Sequence, residues 1–488
     1  MITLAIIDQG TSSSRVSLFA GDELIAFAQE SIEPQYNHLG WVELSPEAIW
    51  ASTLTAWRHA LTKGGIAPHE VAALGISNQR ETTVIWDRVT GQPIYNAIVW
   101  QDRRTEVYCK ELQQRVNHDL LQHKTGLILD PYFSATKICW ILDNVKGARQ
   151  KAEDGRLAFG TIDTFLLWRL TDGAVHATDV TNAARTLLFN IHTLQFDPEL
   201  LAMFNIPSSL LPTVKANAAD FGTVSVAAWQ AKIPVLAMAG DQQAAMIGQD
   251  CWQKGDAKIT YGTGGFFMVH TGDAMILQQK KLLQTIAYQI DDRIAYATEG
   301  SIFAAGCMVN WMRDKMQFIS HAADTARYAQ SVEDNGGVYL VPAFTGLGAP
   351  YWRSDIKAAF VGIDFQTRSE HFVRAALESV AYQTRAILDE LLSCCDFSID
   401  GIKVNGGMSA NYWLMQFLAN QLNIRVLCYK CVEATTSGIL FLLQHKLGLK
   451  YVWQREKSNA TYEFIPHVDK TESDKLYAEY NAVMHKFF

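Results

Sequence analysis

The chain has 488 residues, more than one hydrophobic core ordinarily serves, so two or more domains are expected. With 49% hydrophobic and 19% charged residues it has the composition of a globular chain, which excludes a disordered or fibrous one. The net charge of -8 is spread along the sequence, and no basic block offers a surface to nucleic acid or an anionic membrane.

No apolar run approaches a bilayer span, so the protein is expected not to be membrane-embedded. Asp8 also ends the first apolar run too early for a signal peptide. The cysteines Cys109, Cys139, Cys251, Cys307, Cys394, Cys395, Cys428 and Cys431 follow no disulfide framework. Cys428 and Cys431 make a single C-x-x-C without a second pair, so buried thiols in a reducing cytoplasmic compartment are expected.

In chain order, the first informative stretch is "LAIIDQGTSSSRVSLF", 4–19. Two apolar runs joined by a Gly-containing link predict a β-hairpin. Taken alone the link reads first as a polar turn, and as the alternative it suits a phosphate-binding loop with Asp8 facing a metal ion. "LSPEAIWASTLTAWRHAL" predicts a helix with Ser45 as N-cap and Pro46 at its first position. "AALGISNQ" (72–79) and "TTVIW" (82–86) read as strands, with Arg80 and Glu81 between them. Adjacent opposite charges make an ordinary solvated pair. Between two apolar strands they can instead bind a polyol, Arg donating a fork and Glu accepting from hydroxyls. Trp100 and Tyr132 would add an apolar wall and a phenol, although each, taken singly, suits a core equally.

"IPVLAMAG" (233–240) predicts a buried strand and "DQQAAMIGQ" a helix, with Asp241 at the junction. Asp241 reads both as a helix N-cap and as a general base at a strand end. Gln242 beside it adds a donor and an acceptor. From Ala257, "AKITYGTGGFFMVHTG" repeats the grammar of the first hairpin, so Gly10–Ser13 and Gly262–Gly265 read as two copies of one loop. "EHFVRAALESVAYQTRAILDELL" (370–392) puts Val373, Leu377, Val380 and Ile387 near one helical face. "GIKVNGG" (401–407) reads as a strand and "ANYWLMQFLANQL" (410–422) as a helix. Alternating strands and helices predict an α/β architecture with functional residues at strand ends. No Walker A or clean G-x-G-x-x-G motif occurs, so neither a P-loop nor a Rossmann site is expected.

The ordered blocks "DQGTSSSR", "GWVELSPEAIW", "ISNQRETTVIWDRVTGQPIYNAIVWQDRR", "DPYFSATK", "FGTIDTFLLWRLTDGAVHATDVTNAARTLLFNI", "AGDQQAAMIGQ", "TYGTGGFFM", "VPAFTGLGAPYW", "ALESVAYQTR" and "NGGMSANYWLMQ" together resemble the FGGY family of carbohydrate kinases, most closely its glycerol-phosphorylating members. The resemblance implies an α/β fold of two ribonuclease-H-like domains, the sugar kinase, Hsp70 and actin type, with a cleft between them. Residues 1–249 would carry acceptor binding and the first phosphate loop. Residues 250–488 would carry the second loop and the nucleoside site.

Carried over by motif, Arg80, Glu81, Tyr132, Asp241 and Gln242 would hold the hydroxyls of glycerol, and Trp100 and Phe266 would line its carbon edge. Asp241 would be the general base. Thr11, Ser12, Ser13, Arg15 and Thr263 would contact ATP phosphates, with Asp8 near Mg2+. Gly306, Asn310, Gly407 and Asn411 would surround the nucleoside. Glycerol and MgATP are the implied ligands, and a homo-oligomer, dimer or tetramer, is the expected assembly.

Four departures are expected to bear on the nucleotide half. Asn310 replaces a usual glutamine, Asn405 the aspartate of "DGG", and Arg353 the aspartate of "PYWD". In 434–443, bulkier residues replace small ones. A basic glycine-rich loop that binds fructose 1,6-bisphosphate in some members is missing where "FGTVSVAAWQAKIPV" runs straight to the strand. Inhibition by that effector is not expected. Two rival readings stand beside glycerol phosphorylation: a kinase for another small polyol or ketose, and a nucleotide-binding regulatory homologue without turnover.

Overall fold

The computed structural model describes residues 2–37, 40–276, 280–429, 434–449 and 462–487. By backbone contact the chain falls into two units. One comprises 1–250, 284–296 and 432–453, and the other comprises 251–283, 297–431 and 454–488.

The first unit is built on a five-stranded sheet in the order Val235–Gly240, Val71–Asn78, Thr3–Gln9, Ser13–Ala20, Glu23–Ser31. Thr3–Gln9 pairs antiparallel with Ser13–Ala20 and parallel with Val71–Asn78, so the expected hairpin forms beside a parallel core. All seven residues of Thr3–Gln9 are buried, as a strand covered on both faces requires. Helix Pro46–Gly64 starts where its sequence signals it: the Ser45 side chain accepts from Ala48 N, and Gly65 at φ 63 ends it. This helix packs on Ser13–Ala20 and Glu23–Ser31.

Helix Asp241–Gly248 follows strand Val235–Gly240 directly and lies against helix Ala434–Lys446. A Cβ on Gly438 would stand 1.9 Å from Ala244 O, and one on Gly248 would stand 1.8 Å from Ala434 O. The two backbones therefore meet with no room for a side chain. This corrects the expectation for 434–443. The divergent run belongs by contact to the first unit, where Ile439, Leu442 and Leu443 are core residues packed over the sheet that leads to Asp241.

The second sheet has seven strands in the order Leu283–Ile290, Arg293–Ile302, Gly265–Gly272, Ala257–Tyr261, Gly401–Asn405, Arg425–Cys428, Tyr462–Phe464. Helix Ser369–Leu392 buries Val373, Leu377, Val380 and Ile387, the face expected from its spacing, and packs on helix Tyr412–Leu422. Among the described residues, no helix is long and apolar enough to cross a membrane.

Candidate active site

The first loop is tightly tied down. Gly10 N donates to Ser13 O at 2.9 Å, and Ile32 N donates to Ser12 O at 2.9 Å. Ser12 is exposed and Thr11 half-buried, whereas Ser13 already belongs to the strand and is buried. Thr11 Oγ1 accepts from Trp100 Nε1 at 3.0 Å, which joins the loop to the aromatic wall. Asp8, next to last in the first strand, has its carboxylate 3.6 Å from Arg15 Nη1, and Arg15 Nε donates to Gln29 Oε1 at 3.1 Å. Ser14 turns inward to Ser52 and serves packing.

Beyond strand Val71–Asn78 the chain makes a turn in which Glu81 has φ 61, a left-handed conformation that costs a non-glycine residue. It is held there because Glu81 O accepts from Ser134 Oγ at 2.9 Å and from Thr83 Oγ1 at 3.0 Å. The turn delivers Arg80 and Glu81 into a buried cluster. Arg80 Nε lies 3.4 Å from Asp241 Oδ1, its Nη1 donates to Gln243 Oε1 at 3.3 Å, and its Nη2 donates to Tyr132 OH at 3.4 Å. Glu81 Oε1 accepts from Arg185 Nε at 2.6 Å, with both side chains no more than 2% exposed. The Arg185 guanidinium also lies over the rings of Tyr132 and Phe133, 5.6 and 5.3 Å from their centroids. Trp100 meets Tyr132 edge-on at 5.8 Å. Gln243 is anchored in turn by Thr285 and Ile286 O.

Charges this deep are tolerated only when paired, and removing one partner strands the other. The Arg80–Glu81 pair is therefore no solvated surface pair. Asp241 is the first residue of its helix and Gly240 takes the cap position. The Asp241 carboxylate accepts from Gln242 N at 2.7 Å and stays 28% exposed, accessible among buried neighbours.

A frame of buried amides and carboxylates lies beneath these strand ends. Gly240 N donates to Thr181 Oγ1 at 3.0 Å, while Thr181 N and Asn182 Nδ2 donate to Asp179 at 2.7 and 2.6 Å. Asn78 Nδ2 bridges Asn182 Oδ1 and Asp163 Oδ1 at 3.0 and 3.4 Å. Burial, reinforced by the Asp163 carboxylate, pushes Asp179 up to about 7. Sequence reasoning missed Arg185, Gln243, Asp163 and Asp179. Their signal was present as charged and amide residues set inside apolar runs such as "TIDTFLL" and "TNAARTLL".

In the second unit, the turn after Tyr261 closes through Gly262 N to Gly264 O at 2.9 Å. Helix Gly306–Asp314 docks onto it, with Gly306 N donating to Gly262 O at 3.0 Å and Cys307 N to Thr263 O at 3.1 Å. A cavity of about 400 Å³ opens here, and it brings together Thr263, Gly306, Asn310, Gly407 and Asn411, every residue the motifs assigned to the nucleoside and second loop. Its remaining walls are mostly apolar, from Val309, Leu377, Met408 and several alanines, with Tyr261 and Thr325 beside them. Asn411 Oδ1 caps helix Tyr412–Leu422 at Leu414 N, and its Nδ2 donates to Thr325 Oγ1 at 3.1 Å.

Asn405, in place of the expected aspartate, accepts from Thr260 Oγ1 at 2.7 Å. Arg353 forms a two-pronged pair with Asp355 on the surface. Phe266 stands half-buried on strand Gly265–Gly272 of the second unit. Of the C-x-x-C pair, Cys428 is a buried thiol pushed up to about 12 by burial, and Cys431 lies outside the described residues.

Comparison with known proteins gives a consistent picture. Residues 3–248 match the N-terminal domain of the FGGY family of carbohydrate kinases, and residues 257–445 match its C-terminal domain. A glycerol kinase of Coxiella burnetii (strain RSA 331 / Henzerling II) is 48% identical over 98% of this chain and 96% of its own. One from Ectopseudomonas mendocina is 47% identical over 97% of each. Among solved structures, Plasmodium falciparum glycerol kinase with ADP superposes with a TM-score of 0.89 at 35% identity, covering 100% of this chain and 98% of its own. A xylulose kinase from Lactobacillus acidophilus shares the fold, with a TM-score of 0.86 at 20% identity over 99% of this chain and 98% of its own.

Proposed function

The chain belongs to the FGGY family of carbohydrate kinases, and from this we infer that it is a glycerol kinase. It is an ATP-dependent phosphotransferase that moves the γ-phosphoryl group to a terminal hydroxyl of glycerol, giving sn-glycerol 3-phosphate and ADP. The observation that carries this reading is the buried cluster of Arg80, Glu81, Tyr132 and Asp241 in the first unit. A small triol has little apolar surface, so its recognition rests on buried polar groups that an analogue lacking a hydroxyl leaves unpaired.

In this reading Arg80, Glu81, Tyr132 and Gln242 hold the hydroxyls, and Trp100 and Phe266 line the carbon edge. Asp241 takes the proton of the terminal hydroxyl as that oxygen bonds to the γ-phosphorus and the bond to the bridging oxygen of ADP breaks. Arg80, 3.4 Å from the Asp241 carboxylate, fixes its direction. Thr11, Ser12, Ser13, Arg15 and Thr263 contact the phosphates, and Gly306, Asn310, Gly407 and Asn411 surround the nucleoside.

The donor set suits Mg2+ arriving on the nucleotide. Among the described residues, no three His, Cys, Asp or Glu side chains gather into a metal cage. Mg2+ ordinarily takes one or two carboxylates together with substrate phosphates, and Asp8 beside the first loop offers an oxygen ligand of that kind. Bound there, Mg2+ neutralises phosphate charge. The division at residues 249 and 250, a homo-oligomeric assembly and a cytoplasmic location complete the proposal.

The test is ATP-dependent phosphorylation of glycerol, dihydroxyacetone, erythritol and xylulose. Glycerol should show the highest kcat/KM. A higher value for another acceptor, or no turnover with any, contradicts the assignment.

A further inference from the structure

Lys137 closes the "DPYFSATK" stretch, and the reaction above makes no use of it. It lies in the first turn of helix Ser134–Asn144 with its side chain wholly buried. A cation at the start of a helix opposes the helix dipole, and burial adds a desolvation cost. Its contacts show what offsets that cost. Lys137 Nζ donates back to three consecutive carbonyls, those of Pro131, Tyr132 (2.7 Å) and Phe133 (3.3 Å).

The peptide of Tyr132 is gripped from its other side as well. Tyr132 N donates to Asp130 Oδ1 at 2.8 Å, and Asp130 is itself held by Arg103 at 2.7 and 3.3 Å. Between these two clamps the Tyr132 phenol reaches Arg80, which reaches Asp241. The inference rests on the glycerol kinase reading and deepens it. We propose that Lys137 is a positioning residue of the acceptor site: its ammonium fixes the turn that presents Tyr132, and glycerol affinity falls when that ammonium loses its proton.

An ammonium has one N–H for each of the three carbonyls. A neutral amine has two, and turns its lone pair toward the third. Burial brings Lys137 down to about 8, partly countered by the carboxylates of Asp102, Glu81 and Asp130, while Arg103 adds to the lowering. Cys109, the other titratable group coupled to Lys137, has its thiol pushed far up by burial and stays neutral throughout this range. The change in charge therefore falls just above neutral pH.

The experiment is steady-state kinetics at saturating ATP from about pH 6.5 to about pH 9.5, a span chosen to bracket that transition. For the unaltered protein, the glycerol KM should be flat below the transition and rise about tenfold above it, the worth of one well-made hydrogen bond. Meanwhile kcat and the ATP KM should stay within about twofold. Lys137→Met should show the raised glycerol KM already at neutral pH, with no further alkaline rise. Combining it with Tyr132→Phe should cost no more than the worse single change, because Lys137 acts through Tyr132.

A glycerol KM independent of pH in the unaltered protein overturns the proposal, as does a Lys137→Met variant with unchanged glycerol KM. If that variant does not fold, the pH profile of the unaltered protein decides by itself. Failure to phosphorylate glycerol at any pH would instead strike at the glycerol kinase assignment.

Discussion

In the proposed acceptor cluster, Arg80, Glu81, Arg185 and Tyr132 are almost fully buried, and each is tied to another charged or polar group. The proposed nucleoside pocket is walled mostly by Val309, Leu377, Met408 and alanines, with Tyr261 and Thr325 beside them and glycines at its turns, and the Asn411 amide is already engaged with Leu414 and Thr325. In the proposed function, one region recognises by prepared polar pairs and the other by shape and backbone. A small triol needs the first kind of site because every hydroxyl must be matched. A nucleoside presents a broad flat face that apolar walls can hold. Substitutions in the first region should therefore cost far more than substitutions in the second.

The largest effect should come from Asp241→Asn. As the proton acceptor, its loss should lower kcat by about 10²- to 10⁴-fold while glycerol binding, measured by calorimetry, changes little. A near-normal kcat would remove Asp241 from the chemistry. Next, Glu81→Ala should destabilise the fold by about 3 to 5 kcal/mol, read from urea midpoints, because it strands the Arg185 charge in the interior. A loss below about 1 kcal/mol, the range of exposed pairs, would mean that the pair is not truly desolvated.

A smaller effect concerns pH. Burial beside the Asp163 carboxylate raises Asp179 to about 7 in the folded chain, and burial raises Asp163 as well, so between the ordinary aspartate range and about 7 the folded chain binds more protons than the unfolded one. Stability should thus fall as pH rises through that window and level off above it. Asp163→Asn removes one of the two raised carboxylates and the charge beside Asp179, and should flatten the slope in urea midpoints; an unchanged slope would place the proton outside this pair. The smallest effect should be in the nucleoside pocket. Asn310→Gln, restoring the family's usual residue at an exposed position, should shift the ATP KM by less than about threefold, since surface substitutions rarely exceed ±0.5 kcal/mol.

The sequence carried the outline of both regions for a physical reason. Hairpins around Gly10 and Gly262, the Ser45 cap and the buried face of 369–392 depend on local chemistry and periodicity, which a chain displays directly. Motifs flagged Arg80, Glu81, Trp100, Tyr132 and Asp241 as candidates, although their mutual contacts were not visible. What stayed hidden was long-range. Arg185 meets Glu81 across 104 positions, and Gln243 meets Arg80 across 163, distances over which no periodicity speaks. The helix Ala434–Lys446 is the clearest case, since its return to the first unit depends on the Gly438 and Gly248 backbone contact and not on any local signal.

The central claim is that the polar part of the proposed acceptor site is assembled in advance on the first unit and chooses its ligand by hydroxyl count. Calorimetric titration of the nucleotide-free protein with glycerol and with propane-1,3-diol tests it most directly. Glycerol should bind one per chain, and the diol, lacking the middle hydroxyl, should bind at least about tenfold more weakly because a buried polar partner is left unmatched. Equal affinity for the two, or no glycerol binding until nucleotide is added, would contradict the account.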